Sequence, residues 1–462
     1  MSLPARVATV LDPVIFKAND IRGIVTGPSP EWDLDGALAL GAAYVDLLAV
    51  EEFVIGRDMR TMGRELLLAF ADGARRAGAS VVDIDLSSTD ELWFASGWLG
   101  LPGVQLTASH NPAEYNGIKF CLADAAPVPT DFMDRLRDRA SGITLGSEVL
   151  GGHRTLDALA PYAARLGDLV PVRQGRRLKV VVDAGNGMAG HTAAAVLGER
   201  SLDMVGLYLD LDGSFPNHPA NPLEPANLRD AQAAVLQHGA DLALVFDGDA
   251  DRCFIIDERG EVVDPSVITA MIAVAELAKD PGATIVTNTI TSWCVPKAVE
   301  AAGGTVAVSR VGHTYVKALM SETGAVFGGE HSAHYYFRDF WSADTGMLAA
   351  LHVLELVRSA DVPLSELAAV YDGYSRSGEI NSTVPDASEA IERVAAAFRG
   401  RGDQDLGDGL TVSNRAEDWW LNLRPSNTEP LLRLNVEAAE PSTMAALRDE
   451  VLSLVRDDLV RG

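Results

Sequence analysis

Apolar and polar positions alternate along the chain in an order that occurs three times. An apolar run over residues 53–55 is followed by apolar positions at helical spacing from Leu66 to Ala77, and then by a strand-like run over 80–86. The same order returns over residues 179–208 and over residues 284–308. Strand, helix and strand in succession are typical of α/β folds, so the pattern predicts three similar α/β domains with mixed sheets.

The C-terminal part of the chain follows a different pattern. Residues 378–384 resemble a strand and residues 388–398 an amphipathic helix, and two further strands flank a turn at 424–430 before a last helix over 444–459. Strands followed by packed helices favour a smaller α+β domain over a fourth copy of the first pattern.

Gly-rich or polar stretches near residues 150, 260 and 372 separate these patterns. A chain of 462 residues is long enough for several domains. The sequence therefore predicts four domains, over residues 1–150, 151–260, 261–372 and 373–462.

Composition and charge exclude several classes of protein. The 65 Asp and Glu residues outnumber the 38 Lys and Arg residues, and the net charge of −27 argues against nucleic acid or an anionic membrane as a partner. The three cysteines are scattered, which argues against a disulfide framework or a zinc site. We find no signal peptide and no long uninterrupted apolar stretch, so we expect a cytoplasmic protein, and we also expect a monomer.

The first segment with candidate chemistry is TASHNP, residues 107–112. It follows a predicted strand over 104–106 and places the Ser109 hydroxyl beside the His110 imidazole. Serine is a weak nucleophile by itself and needs a base, a cation or a preformed phosphoryl group in order to react. The segment is therefore either a nucleophile loop or a polar turn closed by Asn-Pro.

The second segment carries three carboxylates at alternate positions. Asp247, Asp249 and Asp251 come directly after the apolar strand predicted over 242–246, and Arg252 follows them. Ligands of open α/β sheets collect at the carboxyl ends of strands. Three clustered anions need a cation in order to stay ionised, so the segment predicts an oxygen-liganded Mg²⁺ site, with a solvated acidic turn as the alternative.

The third segment, residues 328–334, follows a strand predicted over 325–327. Glu330, Ser332 and His334 offer groups that can hydrogen-bond to sugar hydroxyls, and an imidazole can also transfer protons near neutral pH. A histidine in a purely structural role is the alternative for His334.

The fourth segment, RPSNTEP over residues 424–430, brings together a guanidinium, two hydroxyls, an amide and several backbone NH groups. These donors are the ones that recognise phosphate. A hairpin turn is the alternative, because Pro, Ser and Asn are common turn residues.

Together the four segments resemble those of the α-D-phosphohexomutase family, in particular its bacterial phosphomannomutase and phosphoglucomutase branch. TASHNP, DGDADR, GEHSAH and RPSNTEP occur here in that family's order, with one motif in each predicted domain. The resemblance implies four domains around a central cleft, of which the first three are similar α/β domains and the fourth is mobile.

The resemblance also implies roles for individual residues. Ser109 would be the phosphorylated serine, and one of its phosphate oxygens would hold Mg²⁺ together with the three aspartates. The proton-transfer candidates would be Lys119 and His334, and the groups lining the cleft would be Arg22, Arg252 and His313. Glu330 and Ser332 would bind sugar hydroxyls. The phosphate that is not reacting would be held by Arg424, Ser426, Asn427 and Thr428.

Four positions depart from the family pattern, of which Ala250 and Ala333, where Gly is common, are small changes. Asn19 stands where we expect an aromatic residue before Asp-Ile-Arg-Gly, which puts one sugar contact in question. His331 stands where the glucosamine-phosphate members usually have Gln, so we place that substrate below mannose and glucose.

The implied reaction is the interconversion of mannose 6-phosphate and mannose 1-phosphate through a phosphoserine and a sugar 1,6-bisphosphate, which also serves as activator. Activity on glucose phosphates, even as the main activity, is an alternative, because epimers differ in one hydroxyl orientation. The same residues are also compatible with an aspartyl-phosphate hydrolase built on residues 247–251, or with a sugar-phosphate-binding protein without catalysis.

Overall fold

The computed structural model describes residues 5–6, 10–146, 148–198, 200–425 and 431–461. The chain divides into two compact units. One unit comprises Met1–Pro265 and Ser332–Leu367, and the other comprises Ser266–His331 and Ala368–Gly462.

The first domain contains a six-stranded mixed sheet. Its strands lie in the order Ile21–Ile24, Tyr115–Cys121, Gly103–Leu106, Glu52–Arg57, Ser80–Leu86 and His153–Thr155. Its helices are Leu34–Leu48, Gly63–Arg76, Thr89–Leu99 and Phe132–Ala140, with short 3-10 turns at Pro13–Ile15 and Ala123–Ala125 and a two-stranded pair of Ala5–Arg6 with Thr144–Leu145. The core includes the aromatic rings of Tyr44, Phe53, Phe70 and Phe120, which contact one another with centroids 5.3–6.3 Å apart.

The second domain contains a five-stranded sheet in the order Asp203–Leu207, Lys179–Asp183, Leu242–Phe246, Cys253–Asp257 and Val262–Val263. Its helical segments are Leu159–Leu169, Ala189–Leu197, Pro225–Leu228 and Arg229–His238. The first three strands are parallel and the fourth pairs antiparallel with the third. Every residue of the Leu242–Phe246 strand is buried, which agrees with its continuous apolar sequence. The aspartate segment therefore leaves the sheet at the carboxyl end of a central strand.

The third domain contains the parallel strands Thr305–Ser309, Thr284–Asn288 and Phe327–Gly329. Its helices are Pro265–Lys279, Cys294–Ala301, His313–Thr323, Gly346–Ser359 and Leu364–Ala369, with a 3-10 turn at Arg338–Phe340. Strands Tyr335–Phe337 and Ala343–Asp344 form a short antiparallel pair.

The fourth domain is an antiparallel sheet with two helices. Its strands are Ser375–Arg376, Ile380–Ser382, Asp403–Asp405, Leu410–Asn414, Trp419–Pro425 and Leu432–Ala438, and its helices are Ala387–Ala397 and Pro441–Arg461. Apolar residues of both helices pack on Leu421, Leu434 and their neighbours in the sheet. Three α/β domains and a C-terminal α+β domain are therefore present, as the sequence pattern predicts.

Several predicted elements need correction. The strand predicted over 325–327 lies at Phe327–Gly329, so Glu330 follows the strand directly. The strand predicted over 378–384 is shorter, at Ile380–Ser382, and Gly378 lies outside it because its left-handed φ of 66° is not an extended conformation. A separate short strand, Ser375–Arg376, precedes it. Arg424 belongs to the Trp419–Pro425 strand and not to the turn after it.

The domain boundaries near residues 150, 260 and 372 stay predictions. Of the helices in the described part of the chain, none combines the length and the apolar character needed to cross a membrane.

Candidate active site

Ser109 lies in the loop after the Gly103–Leu106 strand, and its side chain faces two charged groups. The residue is 1% exposed and adopts a left-handed φ of 50°. Its backbone NH donates to Thr107 Oγ1 at 2.9 Å. Its hydroxyl donates to Asp247 Oδ2 at 2.9 Å and accepts from Arg252 Nη2 at 3.0 Å. The loop therefore presents Ser109 Oγ to a carboxylate and a guanidinium at once.

The His110 imidazole accepts a hydrogen bond from Arg252. Its Nδ1 lies 2.5 Å from Arg252 Nη2 and 3.3 Å from Ser109 Oγ. A guanidinium can only donate, so Nδ1 is unprotonated in this arrangement. Burial, and then the positive charges of Arg252 and Arg22, hold the pKa of His110 well below its ordinary value. His110 is therefore neutral.

Asp247, Asp249 and Asp251 form a compact group of carboxylates at the end of the Leu242–Phe246 strand. One carboxylate oxygen of each lies within 4.8 Å of the others, and all three residues are buried. Asp249 Oδ1 and Asp251 Oδ1 have no hydrogen-bond partner among the described residues. Buried carboxylate oxygens without a partner are costly unless a cation meets them. The donor set therefore fits a hard divalent cation.

Two cations lie beside these carboxylates. Lys119 Nζ donates to Asp249 Oδ2 at 2.7 Å and to Asp251 Oδ2 at 2.5 Å, and Arg252 Nη2 contacts Asp247 Oδ2 at 2.6 Å. Burial acts to lower the pKa of Lys119, but the charges of Asp249 and Asp251 outweigh it and the pKa rises. Burial also raises the pKa of Asp247, against the influence of Arg252. Lys119 is therefore an ammonium ion at neutral pH, so it acts as a donor.

His334 and Ser332 belong to the same compact unit as Ser109. His334 forms an isolated antiparallel bridge with Arg252, and its Nδ1 lies 2.9 Å from Ser332 Oγ. His334 Nε2 lies 3.9 Å from Asp251 Oδ1, and Asp344 completes a second group of possible metal ligands with these two residues. The sequence analysis did not identify Asp344.

Arg22 is joined to the serine loop through Asn111. Its Nη1 donates to Asn111 Oδ1 at 2.8 Å, and its Nε donates to Asp20 Oδ2 at 2.8 Å. Ten predicted site residues are thus collected within one compact unit: Arg22, Ser109, His110, Lys119, Asp247, Asp249, Asp251, Arg252, Ser332 and His334.

In the other compact unit, Glu330 is anchored by two donors. Asn288 Nδ2 donates to Glu330 Oε1 at 2.8 Å, and the backbone NH of Gly312 donates to the same oxygen at 3.3 Å. Gly312 precedes His313, which begins the helix His313–Thr323. Glu330 and the N-terminus of the helix His313–Thr323 are therefore neighbours.

Arg424 lies near the end of the Trp419–Pro425 strand, opposite Arg433 of the next strand. Glu379 pairs with both guanidiniums, at 3.1 Å from Arg424 and 3.2 Å from Arg433. Two arginines sharing one carboxylate leave a net positive charge, which suits an anion. The predicted phosphate-binding residues Ser426, Asn427 and Thr428 lie outside the described residues.

Besides Asp344, three residues that contact predicted site residues were not found from the sequence. Thr89 Oγ1 donates to Asp249 Oδ2 at 2.6 Å, Asn288 holds Glu330, and Arg60 Nη2 donates to the carbonyl of Ser109 at 2.7 Å. Asn288 ends the strand Thr284–Asn288, and polar residues at strand ends were a usable signal. Thr89 and Arg60 contact residues far away in the sequence, and their local patterns carry no such signal.

Sequence models of the phosphoglucomutase/phosphomannomutase family match most of the chain. The alpha/beta/alpha domains I, II and III match residues 13–146, 160–260 and 264–374, and the C-terminal domain matches residues 379–454.

Individual relatives agree with these matches over nearly the whole chain. A phosphomannomutase of Salmonella montevideo is 39% identical over 457 residues, which are 95% of this chain and 98% of the relative. A protein of Xanthomonas campestris pv. campestris, named "Phosphohexose mutases", is 38% identical and covers 97% of this chain and 99% of its own length.

A solved structure gives the same result. A phosphoglucomutase/phosphomannomutase family protein of Burkholderia thailandensis superimposes with a TM-score of 0.87 at 31% identity, covering 97% of this chain and 98% of that one. The chain therefore belongs to the phosphoglucomutase/phosphomannomutase family of α-D-phosphohexomutases, isomerases that act by intramolecular phosphoryl transfer.

Proposed function

We propose that the chain is a phosphomannomutase that interconverts mannose 6-phosphate and mannose 1-phosphate. The reaction would proceed through a phosphoserine at Ser109 and a mannose 1,6-bisphosphate. The observation that carries the proposal is the position of Ser109 Oγ, 2.9 Å from Asp247 Oδ2 and 3.0 Å from Arg252 Nη2. The name of the Salmonella relative supports mannose as the sugar.

Asp247, Asp249 and Asp251 would hold Mg²⁺ together with an oxygen of the phosphoserine. The two unpartnered buried oxygens, Asp249 Oδ1 and Asp251 Oδ1, support this assignment among the described residues. When bound, Mg²⁺ would supply positive charge to the phosphoryl oxygens on which negative charge develops.

Phosphoryl transfer exchanges one P–O bond for another. The free hydroxyl oxygen of the sugar phosphate forms a bond to the phosphorus of phosphoserine, and the bond from that phosphorus to Ser109 Oγ breaks. The hydroxyl proton passes to a base. Ser109 Oγ keeps the electron pair of the broken bond and leaves as an alkoxide, which takes up one proton to become the alcohol. Arg252, already within hydrogen-bond distance of Ser109 Oγ, would stabilise the charge on the transferring group.

His334 is the stronger candidate for the base. Lys119 is held as an ammonium ion by Asp249 and Asp251, so it donates hydrogen bonds and has no free electron pair for a proton. His334 has a ring nitrogen 3.9 Å from Asp251 Oδ1, and a nearby carboxylate stabilises the imidazolium that forms on proton transfer.

The bisphosphate must turn before the second transfer, so that its other phosphate faces Ser109. A phosphate site that accepts both orientations needs generic anion recognition, and the two arginines around Glu379 support such a role for Arg424. Ser426, Asn427 and Thr428 would complete this site. Glu330 and Ser332 would each bind a sugar hydroxyl, and His313 would contact the substrate.

A coupled assay tests the proposal, with Mg²⁺ and a catalytic amount of glucose 1,6-bisphosphate. We expect turnover of mannose 1-phosphate to exceed that of glucose 1-phosphate, and the Ser109→Ala variant to lose both activities. A reversed ratio would make glucose the main sugar, in line with the broader name of the Xanthomonas relative. Sugar-phosphate binding without turnover, or release of inorganic phosphate alone, would contradict the proposed mutase.

A further inference from the structure

Arg60 is a buried arginine whose guanidinium meets the loop that carries Ser109. It lies after the Glu52–Arg57 strand, and its side chain is fully buried together with that of Asp58. Its Nη2 donates to the carbonyls of Ser109 and Asn111 at 2.7 and 2.6 Å. Its Nη1 donates to the carbonyls of Pro112 and Tyr115 at 2.8 and 3.0 Å. One side chain thus connects four carbonyls of the 109–115 loop.

Arg60 is itself held in place from two sides. Its Nε lies 3.3 Å from Asp58 Oδ2, and its backbone NH donates to Asp58 Oδ1 at 3.0 Å. The guanidinium carbon lies over the ring of Phe215, 5.1 Å from the ring centroid. Asp58 and Phe215 therefore restrict the orientation of the guanidinium.

The loop needs such support because Ser109 has an unfavourable backbone conformation. A φ of 50° is sparsely populated for a residue with a Cβ atom. The Ser109 carbonyl, which Arg60 contacts, is also packed closely against Gly248, where a Cβ would lie 2.4 Å from that oxygen. Strained conformations persist at functional sites where the surrounding structure determines them.

We propose that Arg60 is a positioning residue for phosphoryl transfer, because its four hydrogen bonds fix the loop backbone that aims Ser109 Oγ at Asp247 and Arg252. The expected effect of Arg60 on the rate of phosphoryl transfer rests on the proposed function. The structural part, that Arg60 rigidifies the 109–115 backbone, does not depend on which sugar reacts.

The test compares Arg60→Lys with a matched control, Arg358→Lys. Arg358 is also a buried arginine that donates to carbonyls, those of Arg200 at 2.7 Å and Arg176 at 3.3 Å, but it makes no contact with the serine loop. Lysine keeps the charge but cannot reach four separate carbonyls from one nitrogen. Both variants are expected to lower the unfolding temperature.

Only Arg60→Lys should slow phosphorylation of Ser109 by glucose 1,6-bisphosphate, by about 100-fold, since a small misplacement of a reacting atom has effects of that size. Hydrogen exchange of the loop amides provides a second readout. The NH groups of Asn111 and Tyr115 donate within the loop, to Ala108 O and Pro112 O, and they should exchange about tenfold faster in Arg60→Lys than in the control.

Equal phosphorylation rates and equal exchange in the two variants would overturn the inference. If Arg60→Lys does not fold, Asp58→Asn, which removes the ion pair to Arg60 Nε, should produce the same changes at smaller size. If the wild-type protein is never phosphorylated, the proposed function fails, and faster exchange confined to Arg60→Lys would still support Arg60 as the group that holds the loop.

Discussion

Thr89 donates hydrogen bonds to Asp249 from both its side chain and its backbone. Its Oγ1 lies 2.6 Å from Asp249 Oδ2, and its NH lies 2.9 Å from the Asp249 carbonyl. This leaves Asp249 Oδ1 as the oxygen without a hydrogen-bond partner among the described residues. Thr89, the first residue of the helix Thr89–Leu99, therefore orients a proposed metal ligand.

We predict that Thr89→Val weakens Mg²⁺ binding about tenfold, because loss of a group that orients a metal ligand typically has an effect of that size or larger. The measurement is the Mg²⁺ concentration that gives half-maximal activity, together with titration calorimetry of Mg²⁺ binding. Thr192→Val, which alters a buried threonine on another helix, is the matched control. Equal Mg²⁺ affinities in the two variants would contradict the prediction.

The proposed role of His334 as the base predicts that its removal lowers turnover without weakening substrate binding. His334→Ala should lower kcat about 100-fold, a typical contribution of general base catalysis, and change the KM for mannose 1-phosphate only slightly. His238→Ala, at an exposed helix end, serves as control. Added imidazole should restore part of the activity of His334→Ala. Equal losses in turnover and phosphate binding, without rescue, would count against a proton-transfer role.

Arg424 is expected to affect both substrates alike. We predict that Arg424→Lys raises the KM for mannose 6-phosphate and for mannose 1-phosphate by the same factor, about tenfold, because a charge-assisted hydrogen bond contributes about 1.5–3 kcal/mol. Arg401→Lys, an exposed arginine paired with Glu450 in the same domain, should change neither KM. A KM effect confined to one substrate would mean that Arg424 does not serve both orientations.

Asp90 predicts a pH dependence of stability. Its carboxyl accepts hydrogen bonds from Ser88, Tyr162 and Thr345, but burial raises its pKa to about 6. The pKa of an aspartate in the unfolded chain is about 3.9, so the folded state binds the Asp90 proton more tightly than the unfolded state does. The resulting stabilisation is complete below the unfolded pKa and is lost as the pH rises through about 6.

Between pH 5 and pH 7 this loss should be about 1 kcal/mol in the free energy of unfolding, measured by urea denaturation. The free energy of unfolding of the wild type minus that of Asp90→Asn should fall by that amount from pH 5 to pH 7, because asparagine does not titrate. The corresponding difference for Asp138→Asn, an exposed aspartate, should stay constant. Parallel pH profiles for wild type and Asp90→Asn would contradict the assignment.

Much of the fold was predictable because local patterns and tertiary packing agree. The strand over 80–86 and the strand over 242–246 have the bounds that their apolar runs predict. Asp247 then has to leave the sheet at a carboxyl strand end, where ligands collect. The later start of the strand predicted from Gly378 could not be foreseen, because glycine adopts left-handed and extended backbone conformations about equally readily and the sequence does not say which.

The supporting contacts of the site could not be predicted from local patterns. Arg60 follows a strand in the first domain, and its four carbonyl partners lie in a loop that only the folded sheet brings near it. Lys119 was assigned through the family motif, but its ion pairs with Asp249 and Asp251 join two domains. Such contacts depend on how separate elements pack, and sequence periodicity does not encode them.

The central claim is that Ser109 passes a phosphoryl group to the sugar and receives it back. The most direct measurement is intact mass with peptide mapping of the protein charged by glucose 1,6-bisphosphate, before and after addition of mannose 6-phosphate. The account predicts one phosphate on Ser109 that leaves when the sugar phosphate is added and appears in mannose 1,6-bisphosphate. A Ser109 that is never phosphorylated, or whose phosphate stays in place while sugar phosphates turn over, would contradict it.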